Sequence, residues 1–484
     1  MRRLLNGLAA YLSELRRAAV GGWNAFFFSP ADPTPLGLIR LLVGLLLVWN
    51  LGVYGLDLHA YFGSDGWADP AIVRLVQQGQ SAPGSPAYWS FWFLVPDSLL
   101  RPVWVGCMAV LTMFALGIGS RVTAVLAWVI VVSTVRRVPV ALFGFDQAVS
   151  AWTFYLAVSG ASGQAVSLDR FFGRWRRARA ALARRRLDGR WVGESGAPTP
   201  TVSANLALRL IQLHLVLMYG MAGLAKLQGP AWWNGMAIWG TLAAAEFRRF
   251  DLTWLAAWPY VLHLMTHASL ALELSYPVLI WSRVLRPLLL TAVIALHLAI
   301  GLVLGLTEFG LAMIAANLAF VSGPWLRSLV TGRAQPAGRV LYDGGCPRCR
   351  ASMALVTAGD PDRVIEPVDL TAVHVATIHP SLTRAACMAS MHLVRADGRV
   401  VAGYDAVRTL CVWTPLFWPF GLLGGLPGIP WLGRRAYNAV AASRPRDVPC
   451  TDEVCGLHPR AGRDRGQPSP VPHASVTDPK RASP

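Results

Sequence analysis

The chain has 484 residues, of which 54% are hydrophobic and 14% are charged, and its formal net charge is +18. Soluble domains are typically about 45–50% apolar and about 25% charged, so this composition excludes a protein that is soluble along its whole length. The shortage of charge is concentrated before about residue 325. Arginines that flank apolar segments supply most of the positive charge, which is typical of cytoplasmic loops in membrane proteins and disfavours a nucleic-acid partner.

The N-terminus is predicted to stay in the protein. Arg2 and Arg3 are not followed by a short apolar core with a small-residue cleavage site, so a cleaved signal peptide is not expected. Residues 1–35 are instead predicted to form a cytoplasmic amphipathic segment.

The next region is predicted to be a polytopic α-helical membrane bundle, residues 36–325. A crossing helix needs about 20 mostly apolar residues. About eight spans are expected, at residues 36–55, 102–119, 121–135, 145–160, 202–227, 261–281, 287–306 and 309–325. Trp and Tyr residues gather at many of their ends, as side chains at the lipid headgroup level do.

The distribution of arginine predicts the orientation. With eight spans, the three most basic regions share one side, which is expected to be cytoplasmic. They are the N-terminus with Arg2, Arg3, Arg16 and Arg17, the loop 170–190, and the loop with Arg283 and Arg286. Arg136 and Arg137 fall on the other side and disagree with this orientation. The majority predicts a multi-pass plasma-membrane protein with both termini in the cytoplasm.

A second domain follows the bundle. Residues 326–338 are predicted to be a linker, residues 339–457 a small α/β domain, and residues 458–484 a disordered tail. An apolar strand ending at Tyr342 leads into the sequence Asp343-Gly344-Gly345-Cys346-Pro347-Arg348-Cys349. A Cys-x-x-Cys pair after a strand and before a helix is typical of a redox dithiol.

Helix geometry assigns different roles to the two cysteines. Cys346 is predicted at a helix N-terminus with Pro347 at the first helical position, where the helix dipole stabilises a thiolate. Cys349 lies one turn further along on the same face and could resolve a mixed disulfide. Asp343 could accept a proton near the dithiol or cap the turn.

A zinc site is the alternative interpretation of these cysteines. It would need further ligands, and Cys450, Cys455 and His458 are available later in the chain. Redox chemistry is the preferred hypothesis, because nothing else in the pattern indicates a zinc ribbon. No metal ligand is therefore assigned.

The C-terminal domain resembles the thiol-disulfide oxidoreductase DCC family, which is named for the spacing Asp343-x-x-Cys346-x-x-Cys349. The segments 391–399, 403–406 and 431–444, the last with Tyr437, resemble it as well. The resemblance implies a thioredoxin-like fold and a thiol or disulfide partner, either a protein or a small molecule. No proline precedes the strand at His392, where thioredoxin-like folds usually carry one opposite the dithiol.

Ionisable residues inside apolar spans are costly and are functional candidates. The candidates are Arg40, Arg209, His214, Lys226, His263, His267, Glu273 and His297. A lone histidine in a membrane most often makes a helix–helix hydrogen bond, and Lys226 could snorkel to the interface.

The membrane half resembles the vitamin K-dependent gamma-carboxylases and their bacterial relatives, the HTTM proteins. The segments that carry the resemblance are 61–66, 167–170, 219–227 with Trp232 or Trp233 and Gly235, 273–277, and 296–297. It implies that Lys226 is the base that deprotonates a quinol cofactor of menaquinone or vitamin K type. Glu273 and His297 lie in these segments, and together with the other ionisable span residues His214, His263 and His267 they are the candidate cofactor-binding residues. The carboxylases carry a large β domain after the helices, where this chain has the dithiol domain.

Three functions are compatible with these patterns. The first is a membrane-tethered thiol-disulfide oxidoreductase with a protein-disulfide reductase-like dithiol, which could be coupled to a quinone. The second is a quinone-dependent membrane enzyme of carboxylase or epoxidase type that uses Lys226 as its base. The third is a non-catalytic membrane scaffold.

Overall fold

The computed structural model describes residues 2–67, 69–80, 89–183, 197–247, 249–331, 337–360 and 364–444. Its N-terminal part is helical. The α-helices there are α1 (Arg2–Phe27), α2 (Thr34–Tyr54), α3 (Leu58–Phe62), α4 (Pro70–Gln80), α5 (Leu100–Leu116), α6 (Ser120–Arg137), α7 (Gly144–Ser159), α8 (Leu168–Ala183), α9 (Val202–Lys226), α10 (Pro230–Trp233), α11 (Ala237–Ala243), α12 (Pro259–Leu279), α13 (Arg286–Val303), α14 (Thr307–Asn317) and α15 (Gly323–Thr331).

Each predicted span contains a helix, so the predicted helical bundle is confirmed, but eight spans is too many. Among the described residues four helices are long and apolar enough to cross a bilayer, and up to six if two bent pairs each count as one. They are Thr34–Phe62, Asp97–Leu116, Val202–Lys226 and Arg286–Val303. Helix α7 has only 16 residues and α14 only 11, whereas α6 carries Arg121 and ends in Arg136 and Arg137.

The last predicted span is broken. After α14 the chain bends through 117° into α15. The second bent pair lies in the C-terminal domain, between residues 403 and 423.

Helix α2 lies inside the bundle. It packs against α5, α7, α9 and α14, and Leu36, Ile39 and Val43 on it are fully buried. A helix that is apolar on most of its surface is suited to such a position.

The buried Arg40 and the exposed Asp169 fix one end of this bundle. The guanidinium of Arg40 donates to the carbonyls of Ser162, at 2.6 Å, and Val166. The Asp169 carboxylate accepts hydrogen bonds from the amides of Gly119 and Ser120, each at 2.9 Å. These contacts hold the segment before α8 against α2 and the α5–α6 turn.

Arg137, whose position disagreed with the predicted orientation, is also buried. Its guanidinium donates to the carbonyl of Gly63 at 2.9 Å. It therefore supports the loop that follows α3 and is not a free loop cation of the kind that sets orientation.

The C-terminal domain is built on a mixed sheet with strand order β2-β1-β3-β4. Strand β1 pairs in parallel with β2 and antiparallel with β3, and β3 pairs antiparallel with β4. This confirms the predicted small α/β domain. The elements are β1 (Gly338–Tyr342), α16 (Pro347–Gly359), β2 (Ile365–Asp369), α17 (Val375–Ile378), α18 (Arg384–Ala389), β3 (His392–Arg395), β4 (Val400–Ala402), α19 (Gly403–Trp413), α20 (Trp418–Leu423) and α21 (Ile429–Ala442).

Because side chains alternate along a strand, the sheet has two apolar faces. Leu341 and Val394 pack on the face that carries α17 and α18. Val340, Tyr342 and Leu393 pack on the other face, in a cluster that includes both cysteines of the dithiol.

Helix α8 completes this second face. The sequence predicted a loop over residues 170–190, but its first part folds as a helix, and residues 184–196 lie outside the description. Ala178 and Leu182 of α8 are buried in the same cluster as Cys346 and Met353. The core of the C-terminal domain is thus completed by a helix from the N-terminal half.

Candidate active site

The turn before the dithiol is held by two carboxylates. Asp343 Oδ1 accepts a hydrogen bond from the Gly345 amide at 2.9 Å, and Asp369 Oδ1 accepts one from the Gly344 amide at 3.1 Å. A Cβ atom on Gly344 would collide with the Asp369 carboxylate, so any other residue here would force that carboxylate to move. The contact of Asp343 supports turn capping over proton transfer as its role.

Cys346 is the N-cap of α16 and Pro347 takes the first helical position, as the sequence predicts. The Cys346 sulfur accepts a hydrogen bond from the Cys349 amide at 3.4 Å. The positive end of the helix dipole therefore points at this sulfur. Cys346 is fully buried, and Cys349 is 8% exposed.

The environment of Cys349 is different. Burial, followed by its interaction with Cys346, raises the pKa of Cys349 to about 11. Cys349 is thus a protonated thiol at neutral pH, which makes the dithiol asymmetric.

Arg444, just beyond α21, places a cation at this second sulfur. Its Nη1 atom lies 3.6 Å from Cys349 Sγ, and its Nη2 atom donates to the carbonyls of Met388, at 3.0 Å, and Ala389, at 2.5 Å. Burial alone would lower the pKa of Arg444, but its hydrogen bond with Cys349 and nearby negative groups raise it. The guanidinium therefore stays charged and is fixed in place by backbone carbonyls.

Met391 takes the position before β3. Its amide donates to the Tyr437 hydroxyl at 2.8 Å, and its side chain packs against the cluster that contains the dithiol. As the sequence indicates, no proline occupies this place, and the described residues contain no cis peptide bond.

Comparison with known families agrees with this division of the chain. The HTTM domain family matches residues 196–325, and the DCC1-like thiol-disulfide oxidoreductase family matches residues 340–447. Residues 196–325 are thus similar to the HTTM domain, and residues 340–447 are similar to the DCC1-like domain, in that order along the chain. Both family resemblances predicted from the sequence are confirmed. No curated protein and no solved structure matches the chain.

The DCC1-like domain meets the membrane half through α8 and α16. Arg174 on α8 donates to the carbonyls of Thr357, at 2.9 Å, and Asp360, at 2.6 Å, where α16 ends. Ala178 and Leu182 lie one and two turns later on α8, so the two helices run antiparallel. The end of α8 therefore lies beside the start of α16, which carries the dithiol.

In the HTTM domain, Lys226 and Glu273 form an ion pair between α9 and α12. The ring centroid of Trp232 lies 5.0 Å from Lys226 Nζ. Glu273 Oε2 is buried and has no hydrogen-bond partner in the described part of the chain. The structure thus brings together two of the residues that the sequence singled out.

A separate hydrogen-bond network joins α9, α12 and α14 inside the bundle. The Tyr276 hydroxyl donates to Asn317 Oδ1 at 2.7 Å, and Asn317 Nδ2 donates to the Tyr219 hydroxyl at 3.4 Å. The His297 ring centroid lies 5.9 Å from that of Tyr219. Sequence reasoning missed Asn317, although an amide inside an apolar helix could have signalled it.

The other histidines are not part of this cluster. His214 Nδ1 bonds to the Tyr155 hydroxyl at 3.0 Å, about 18 Å along α9 from Lys226. His263 is partly buried and packs beside Gly235, whereas His267 is exposed and its Nδ1 contacts the His263 carbonyl at 2.9 Å. Their assignment as cofactor ligands gains no support from this geometry.

The two candidate sites lie at opposite ends of the bundle. Lys226 ends α9, whereas Thr201, just before α9, pairs with Ala31. The neighbouring Asp32 forms an ion pair with Arg327 of α15, shortly before the DCC1-like domain. A helix of 25 residues is about 37 Å long. Cys450, Cys455 and His458, the further ligands of the zinc alternative, lie outside the described residues.

Proposed function

We propose that this membrane protein reduces disulfides with the Cys346–Cys349 pair. One observation carries the proposal, namely the position of the Cys346 sulfur at the N-terminus of α16, where it accepts the Cys349 amide hydrogen. The family match of residues 340–447 supports the same activity class. On the predicted cytoplasmic side the pair acts as a reductant, because that compartment keeps thiols reduced.

The reaction proceeds in two exchanges. The Cys346 thiolate attacks the substrate disulfide, forms a mixed disulfide and releases one substrate thiolate, which takes a proton from water. Cys349 then loses its proton, attacks Cys346 Sγ and displaces the second substrate thiolate. The substrate gains two electrons, and the domain is left with a Cys346–Cys349 disulfide that cellular thiols reduce again.

Arg444 acts in the second exchange. Cys349 must become a thiolate although burial raises its pKa to about 11. A guanidinium 3.6 Å from its sulfur favours that charge. Because Cys346 is fully buried, the substrate reaches it only after local opening of the domain.

The proposal is tested with the full chain in lipid nanodiscs and a model disulfide. Cys346→Ser is expected to abolish reduction, and Cys349→Ser to trap a mixed disulfide on Cys346, visible by mass spectrometry. Cys411→Ser is the matched control and should retain activity. If the protein shows no disulfide exchange and binds stoichiometric zinc, the metal-site alternative is established. Loss of activity in the Cys346 variant argues against a non-catalytic scaffold.

The side of the membrane is tested separately. Thiol labelling of Cys346 with an impermeant reagent should require cell lysis. Labelling in intact cells would place the dithiol outside and overturn the reductant assignment.

A second candidate function is favoured by the buried ion pair of the HTTM domain. Lys226 and Glu273, with Tyr219 and His297 nearby, fit a quinol headgroup, because the unpartnered Glu273 Oε2 can accept a proton or a hydrogen bond. A quinone of menaquinone or vitamin K type would supply two-electron chemistry there. Lys226, whose side chain is 26% exposed, would pass its own proton to Glu273 and then take the proton from a quinol hydroxyl.

Lipid extraction tests this candidate. A quinone that co-purifies with the wild type and is lost in Lys226→Ala, while Cys346 remains reactive, would support it. An equal quinone content in both proteins would remove Lys226 from consideration. The distance along α9 means that electrons pass between the two sites only through a mobile carrier.

A further inference from the structure

Helices α20 and α21 of the DCC1-like domain carry a large exposed apolar face. Phe420 is 69% exposed, Leu422 70% and Trp431 62%. We define the apolar face as Phe420, Leu422, Leu423, Leu426, Trp431 and Leu432, all of them exposed. Soluble surfaces rarely expose so many neighbouring large apolar residues unless something binds them.

This apolarity does not come from a transmembrane hairpin. Helices α19 and α20, with the turn between them, are apolar enough to qualify as a broken span with a 115° bend. Helix α19, however, places Ala406 and Leu410 in the core of the sheet, where both are buried. Only the α20–α21 side is therefore free to meet lipid.

The apolar face begins beside the end of the membrane bundle. The Phe417 ring packs edge-on against Phe171, with centroids 6.2 Å apart. Phe171 lies one half-turn after Asp169, whose carboxylate caps α6 at the α5–α6 turn. Helix α20 starts at the next residue, Trp418, so the face starts close to the end of α5, which is long and apolar enough to cross a bilayer.

Arginines next to the apolar face suit a membrane surface. Arg435 stacks over the Trp431 ring at 4.5 Å from its centroid, and Arg434 is 58% exposed beside it while pairing with Asp405. Interfacial helices combine Trp, Phe and Leu on one side with basic residues near anionic headgroups. The positive charge of Arg434 and Arg435 beside the apolar face thus complements an anionic lipid surface.

We propose that the apolar face of the DCC1-like domain inserts into the headgroup region of the bilayer that holds the HTTM domain. The occupant is lipid, and the docking fixes the domain against the membrane independently of the dithiol chemistry. A second copy of the chain or a soluble protein would be the competing occupants.

Photo-crosslinking in cells distinguishes these occupants. Benzoylphenylalanine at Leu422 of the full chain should give adducts with phospholipid, detected by mass spectrometry. The matched control is benzoylphenylalanine at Thr377, which is exposed on α17 across the sheet and should give no lipid adduct. An adduct between two copies of the chain, an adduct with another polypeptide, or equal lipid labelling at Thr377 would overturn the proposal.

Charge on the apolar face provides a second measurement. With the probe still at Leu422, the substitutions Phe420→Asp and Leu426→Asp should lower the lipid adduct about tenfold, because each removes apolar burial. Thr377→Asp should leave the yield unchanged. Alkylation of Cys346 at the wild-type rate shows that the variant domain is folded, and an unchanged lipid adduct in that folded variant would contradict lipid docking.

Discussion

At the scale of single residues, the dithiol is unsymmetrical because its two sulfurs have different neighbours. Cys346 faces the start of a helix, whereas Cys349 is buried beside Arg444. The first sulfur is thus arranged for attack, and the second requires help to ionise. The resolving step is where a single side chain should matter most.

We predict that Arg444→Gln slows resolution about tenfold at pH 7, the effect of losing a charge-assisted hydrogen bond. The pKa of Cys349 is about 11 with the guanidinium beside it. Without the guanidinium this pKa rises, so less thiolate is present at neutral pH. Raising the pH toward that value should restore the rate. The measurement is the second release of thionitrobenzoate from an aromatic disulfide reagent, which reports attack by Cys349.

The first release of thionitrobenzoate is the internal control, because it reports attack by Cys346 and should keep its rate. Arg444→Lys is expected to recover part of the second release. Arg348→Gln is the matched control. It removes a nearby arginine that bonds to Ser443 at 3.0 Å, and it should leave the second release unchanged. Equal slowing of both releases would assign Arg444 a structural role instead.

The residues of the site were predictable to different degrees. The N-cap position of Cys346 follows from Cys-Pro after a strand, a local pattern. The contact between Arg444 and Cys349 joins residues 95 apart, and the Lys226–Glu273 pair joins residues 47 apart. Such contacts depend on how elements pack, which no local pattern specifies.

At the scale of elements, α8 is the least expected feature. Its nine-arginine context made it look like a solvated loop, yet Ala178 and Leu182 lie on one helical face and are buried. Two apolar residues four positions apart are too short a periodic pattern to indicate an amphipathic helix among so many arginines.

We predict that Leu182→Ala lowers the free energy of unfolding of the DCC1-like domain by about 2–5 kcal/mol, because it leaves a cavity against α16. Pulse proteolysis of the full chain in increasing urea measures this change. Arg176→Ala, at an exposed position of the same helix, is the control and should have little effect. A domain that resists urea equally in both variants would show that α8 does not stabilise it.

The number of spans illustrates the other limit of sequence reasoning. Every span predicted from apolar composition contains a helix, but composition could not show that α14 ends at Asn317 or that the chain then bends into α15. Helix ends depend on capping and on neighbouring elements, so a length threshold applied to composition overcounts spans.

At the scale of the whole molecule, the limits of the DCC1-like match, residues 340–447, are not the limits of the folded core, since α8 lies outside the match. We predict that a fragment of residues 337–447 is unstable and aggregates, because it lacks the α8 residues that bury Cys346 and Met353. Adding a peptide of residues 168–183 should restore a cooperative thermal transition. The same peptide with Leu182→Asp should fail, and a fragment that melts cooperatively alone would refute this prediction.

The shared helix also has a consequence for synthesis on the ribosome. Arg174 and its partner Thr357 are 183 residues apart, and translation at about 5–20 residues per second separates them by roughly 10 to 40 seconds. During that interval the apolar side of α8 has been made but its partner has not. Leu182 therefore lacks the residues that bury it in the folded protein until α16 has been made.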